Sequence, residues 1–163
     1  MSSRNRTIRT LTVLALAVAM AALSGSGVAV AARKSISLRG SWIVRITGGP
    51  GTPALPSWYG SQVTFTSDGG VVATITDPYI HTGHGSWKRV GKGKFRVTIL
   101  LWQFDSRGDF LGTLKARATL KVHRGSRTFD SNNYRFQFSD PNGKPTGLAG
   151  VGKAHGRRIE VEP

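Results

Sequence analysis

From position 110 to 123 apolar and polar residues alternate without a break. Phe110, Gly112, Leu114, Ala116, Ala118, Leu120 and Val122 fall on one side, and Leu111, Thr113, Lys115, Arg117, Thr119, Lys121 and His123 on the other. A period of two belongs to a strand with one dry and one wet face, so this stretch predicts a long strand whose outer side is mostly polar and cationic. The period recurs along the chain. At 40–47 Trp42, Val44 and Ile46 oppose Ile43, Arg45 and Thr47; at 62–66 Val63 and Phe65 point one way; residues 71–76 follow the tight-turn signal Asp68-Gly69-Gly70. Further strands are predicted at 85–90 and at 95–104, where Phe95, Val97, Ile99 and Leu101 oppose Arg96, Thr98, Leu100 and Trp102. Two more follow, at 133–139 with Tyr134, Phe136 and Phe138 on one face, and at 148–161, a less regular strand interrupted by Gly150, Gly152 and Gly156.

Between these runs stand a Pro- and Gly-rich loop after Gly48, a loop from Asp77 to His84, and turn clusters around Gly91-Lys92-Gly93, Asp105-Ser106-Arg107-Gly108-Asp109, Arg124-Gly125-Ser126-Arg127 and Asp140-Pro141-Asn142-Gly143. Short turns make sequence neighbours antiparallel. A flat meander of about eight strands would leave two edges and one uncovered apolar face, and closing it removes both. The expectation is therefore an all-β fold, a single eight-stranded antiparallel up-and-down barrel over 40–163. A two-layer β-sandwich is the alternative that the same alternation serves.

The first part of the chain reads as an address. Arg4, Arg6 and Arg9 precede an apolar run at 11–23, followed by small residues that end in Ala29-Val30-Ala31. That order is a secretory signal with cleavage near Ala31, and the run is short for a span of roughly 30 Å. Residues 1–31 are thus assigned to a signal peptide and 32–39 to a flexible basic leader. The implied location is secreted or at the cell envelope, with no transmembrane segment in the mature chain. The chain has no cysteine, which excludes a disulfide framework, a lipid-modified cysteine and thiol chemistry. Its 163 residues carry a formal charge of +15, and losing the three arginines of the leader peptide leaves +12. Such a charge favours anionic partners such as cell-envelope polymers; its plainer alternative is colloidal solubility. An extracellular address disfavours nucleic acid.

Gly40-Ser41-Trp42, repeated as Gly85-Ser86-Trp87, resembles the Gly-x-Trp with which calycin-type barrels, the lipocalins among them, open their first strand. The resemblance implies a structural role for Trp42 and Trp87 and a late-strand arginine over the first tryptophan, here Arg157 or Arg158. The chain also looks like exported bacterial Gly-x-Trp barrel proteins without an assigned activity, and it shares its general architecture with allene oxide cyclase-like barrels. Fold resemblance of this kind implies a binding protein or, on the last comparison, a cyclase or isomerase.

Chemistry is sparse. In an up-and-down barrel alternate connections share a rim, which brings Trp58, Tyr59, Tyr79, Ile80, His81 and His84 to one mouth, with Trp102 near it. These residues predict a site for a small apolar or aromatic ligand; the competing expectation is that side chains fill the lumen. In a cyclase-like enzyme Tyr79, His81 or Asp105 would polarise the substrate. His81 and His84, with Asp77 nearby, lack a third ligand at a familiar metal spacing, so no metal is assigned. Asp105 and Asp109 read as turn chemistry before acid and base. No nucleophile motif and no phosphate-binding glycine loop is present, so no catalytic residue and no cofactor is assigned. Finally, Arg45, Arg96, Lys115, Arg117, Lys121 and Arg135 fall on outward positions, where they would form a cationic face for anionic polymers.

Overall fold

The computed structural model describes residues 35–50, 52 and 59–161. The signal-peptide assignment and Trp58 lie outside them. Eight strands follow in order: β1 Gly40–Gly48, β2 Gly60–Phe65, β3 Gly70–Ile75, β4 Ile80–Gly91, β5 Lys94–Phe104, β6 Phe110–Val122, β7 Thr128–Ser139 and β8 Pro145–Arg158. Each pairs antiparallel with its sequence neighbours, and β1 pairs with β8, from Trp42 opposite Arg158 to Gly48 opposite Gly152. The sheet is a closed up-and-down barrel, not a sandwich. Among the described residues there is no helix, and none long and apolar enough to cross a membrane.

Alternation fixes what is inside. Val44, Ile46, Val63, Phe65, Val71, Ala73, Val97, Leu101, Leu114, Ala116, Leu120 and Val122 are buried, Ile99 and Ala118 line the lumen with them, and the alternate residues face out. The large side chains gather at the end that holds the β2–β3, β4–β5 and β6–β7 turns. There the Trp42 and Phe129 rings lie 5.0 Å apart, and Trp87 meets Phe95 edge-on at 5.6 Å and Phe65 at 6.3 Å. Both indole N–H groups donate to backbone carbonyls, that of buried Trp42 to Leu38 at 2.9 Å and that of half-buried Trp87 to Thr66 at 3.1 Å.

Residues 35–39 cover this end. Leu38 is 0% exposed, and Ile36 packs against the core. Arg158 lies 4.4 Å over the Trp42 ring, and its guanidinium donates to the carbonyls of Ser37, Arg39 and Ser126. One side chain thus ties the segment before β1 to the β6–β7 turn. From the other side Arg89 ties the same segment to β4, lying over Phe95 at 4.9 Å and donating to the Ile36 carbonyl. The base is sealed by cations laid on aromatic faces.

Two strands differ from the sequence expectation, each for a local reason. The stretch 77–84, expected as a loop, is mostly strand, because β4 starts at Ile80. A bulge between Ile80 and Gly83 sets two residues of β4, His81 and Thr82, against the single Trp102 of β5, and Gly83 and Gly85 let the β4 backbone approach that of β5. A Cβ at either would collide with the carbonyls of Leu100 or Thr98. Strand β7 begins at Thr128, not 133, because a second bulge between Ser131 and Tyr134 changes the inward set from Phe129 and Ser131 to Tyr134, Phe136 and Phe138. The bulge is held by Asn133, whose Oδ1 accepts from the Thr119 N–H at 2.8 Å and from the Ser131 hydroxyl at 2.9 Å.

The glycines of β8 also acquire a reason. Phe136 faces Gly150, Tyr134 faces Gly152 and Phe129 faces Gly156 across the β7–β8 ladder. The rings of Phe129 and Phe136 occupy the space that a Cβ at Gly156 and Gly150 would need. Aromatic residues on one strand and glycine on the next share a fixed volume inside the barrel.

Candidate functional site

The opposite end, with the β1–β2, β3–β4, β5–β6 and β7–β8 connections, is the mouth. Its turns are built by Asp carboxylates that accept backbone N–H groups: Asp105 from Arg107 at 2.8 Å and Asp109 at 2.9 Å, and Asp140 from Asn142 at 3.0 Å and Lys144 at 2.8 Å. These hydrogen bonds, joined by Arg107, hold the Asp105 carboxyl below the usual carboxylate range. Asp105 and Asp109 both pair with Arg107, as turn residues do.

Among the described residues, those expected to surround a ligand do not converge. Ile80 is 5% exposed and belongs to the core. Tyr79 is exposed at the rim. His81 lies against Phe104, ring centroids 4.6 Å apart, and His84 is an exposed residue of β4 opposite Leu100. Among the described residues no group of three His, Cys, Asp or Glu side chains is placed to hold a metal ion. Trp102 alternates with lumen-lining Leu101 and so faces outward, 52% exposed, where it packs at a tilt against Phe110 at 5.3 Å. Phe110 in turn meets Phe104 at 5.7 Å, which makes an aromatic stripe on the outer wall. Tyr59 is half-buried; burial and then the Asp77 carboxylate push its phenol up to about 12. Tyr134 reaches the lumen, and burial, then the neighbouring Tyr59, raise its phenol as well. Both phenols are neutral at physiological pH.

The lumen itself is lined by Val44, Val63, Ile75, Val97, Leu101 and Tyr134 among others and holds a cavity of about 60 Å³. That is well below the roughly 150 Å³ at which an apolar cavity takes up benzene, and far below the 300–1,000 Å³ of typical ligand pockets. The barrel encloses packed side chains.

The outer wall is different. Three cation pairs face each other directly across strands: Lys88 with Arg96, Lys94 with Lys121, and Arg117 with Arg135. Opposed like charges on adjacent strands are destabilising. Among the described residues no carboxylate forms an ion pair with any of these six; the pairs present are those of Arg107, of Arg127 with Glu160, and of Asp130. Sequence period alone marks Arg96, Arg117, Lys121 and Arg135 as outward, but the opposition of the pairs depends on register, which the sequence does not state.

Asp130 is the one carboxylate on this wall, and two imidazoles hold it: His123 Nε2 at 2.6 Å and His155 Nδ1 at 2.7 Å. These hydrogen bonds, His155 first, keep the Asp130 carboxyl below its ordinary value. A depressed folded-state value contributes stability above the unfolded value of about 3.9, and that contribution disappears as pH falls through the folded value. Asp130→Asn is therefore expected to flatten the acid limb of stability below about pH 4, measured as denaturant midpoints against pH. The effect is small because Asp130 is 47% exposed and screened by water. An unchanged acid limb would contradict it.

Fold and wall together define a closed antiparallel barrel with a packed apolar interior and a cationic exterior, on which Asp130 stands opposite Lys121 across β6–β7 but forms its ion pairs with the two histidines. No protein-family model matches the chain, and no curated protein matches it.

Proposed function

We propose that this is an exported, non-enzymatic barrel that acts at the cell envelope by binding an anionic polymer along the outer wall of β4 to β7. The observation that carries the reading is the set of three opposed cation pairs, Lys88 with Arg96, Lys94 with Lys121 and Arg117 with Arg135. Each costs stability in the free protein, and each cost is relieved when an anion lies between the partners. Cations at alternate positions of neighbouring strands recur at roughly 7 Å along the wall, a spacing suited to a chain of regularly repeated charges. The aromatic stripe of Trp102, Phe110 and Phe104 continues the same wall towards the mouth and offers stacking faces at its end. The small lumen favours this reading over uptake of an apolar ligand.

Binding of a linear polyphosphate to the purified protein, titrated at several salt concentrations, tests it. Affinity should fall steeply as salt rises, as release of several counterions demands. The double variant Arg96→Gln, Lys121→Gln should reduce both the affinity and the steepness. No measurable binding at physiological ionic strength, or binding unaffected by the variant, would overturn the reading.

A further inference from the structure

One part of the wall is more than a field of charge. Lys115 and Arg117 project from β6, and Arg135 and Gln137 from β7, with Arg117 opposite Arg135 and Lys115 opposite Gln137. The next strand carries short residues, Ala149 opposite Gln137 and Val151 opposite Arg135. Long side chains beside a low strand leave a groove of about 350 Å³, lined by these residues with Phe136 and Gly150 and by no carboxylate. The β6–β7 ladder breaks just beyond Arg117, where the Asn133-held bulge begins. Bulges re-aim the side chains beside them, and this one lies directly beside the opposed Arg117 and Arg135.

The donor set decides the ligand. Two guanidiniums present planar forks of N–H groups, the ammonium adds a point charge and the amide two further donors. A carboxylate has two oxygens in one plane and is satisfied by a single guanidinium, leaving the second arginine and the lysine uncompensated. A phosphate group offers more acceptor oxygens in a tetrahedral arrangement, which two forks can grip from opposite sides. We infer that Lys115, Arg117, Arg135 and Gln137 form a binding site for a phosphate group. The site rests on the reading of the outer wall as an anion-binding surface and makes that reading specific: the polymer is a phosphate-bearing one.

Inorganic pyrophosphate is the probe, with citrate at matched ionic strength as the carboxylate comparison and Lys92→Gln, in the β4–β5 turn, as a variant of equal charge change. Pyrophosphate should raise the melting temperature of the protein and citrate should not. Arg135→Gln should weaken pyrophosphate binding about tenfold or more, while Lys92→Gln changes it less than about twofold. Arg135→Gln also removes a like-charge contact, so without ligand it should melt no lower than the parent protein, which shows that it folds. Equal losses in the two variants, or equal stabilisation by citrate, would overturn the site. If the pyrophosphate response is absent while polyphosphate still binds with a steep salt dependence, the groove fails and the wall stands; if both are absent, both fail.

Discussion

Trp42→Ala should cost ~3–5 kcal/mol of folding stability, a large share of the ~5–15 kcal/mol that holds a domain of this size together. The indole is fully buried and packed at a tilt against Phe129, ring centroids 5.0 Å apart. Beneath it Leu38 would lose the donor to its carbonyl, and above it Arg158 would lose the ring on which it rests. The damage therefore spreads to the segment before β1 and to the β6–β7 turn, which Arg158 joins. Trp42→Phe keeps a ring between Phe129 and Arg158 and should recover more than half of the loss. Denaturant unfolding measures both, and a cost below about 1 kcal/mol for Trp42→Ala would show that the base does not anchor the barrel.

Gly156→Ala should be nearly as harmful for the opposite reason, since it adds volume where none is free. The new methyl would collide with the ring of Phe129, which is 1% exposed and cannot withdraw because Trp42 lies behind it. Overfilling of a tight core costs ~1–3 kcal/mol. The telling measurement is a double-mutant cycle with Phe129→Leu, which makes room at the price of a smaller core. The two changes together should cost less than the sum of each alone by about 1 kcal/mol or more. Simple additivity would mean that Gly156 is required for some reason other than the ring.

Much of the barrel is legible in the sequence because alternation survives wherever a strand is regular. Strands β5 and β6 are examples: each inward residue from Phe95 to Leu101 and from Gly112 to Val122 can be picked out by period alone. Legibility fails where a bulge shifts the parity. In β7, Phe129 and Ser131 face in at odd positions and Tyr134 to Phe138 at even ones, so no single period covers the strand and its first half reads as a turn. In β4 the run Gly83-His84-Gly85 has the composition of a loop, and only the closeness of β5 explains it. Leu38 gives no signal, being one apolar residue in a basic stretch, yet it plugs the base.

The candidate site follows the same division. The outward position of Arg96, Lys115, Arg117, Lys121 and Arg135 comes from alternation. Their meeting in opposed pairs comes from register, set by hydrogen bonding across strands far apart in sequence. The mouth residues divide for a related reason: His81 and Trp102 are aromatic and near a connection, but the strands turn both to the outside, against Phe104 and Phe110.

Nuclear magnetic resonance spectra of the protein with polyphosphate added stepwise would distinguish wall from lumen in a single experiment. The guanidinium Nε–H resonances of Arg96, Arg117 and Arg135 should shift together and saturate, while the methyl resonances of Val63, Ile75 and Val97, which line the lumen, stay in place. Shifts concentrated in the lumen methyls, or spread evenly over every arginine including Arg124 and Arg127 at the base, would contradict a function carried by the cationic wall.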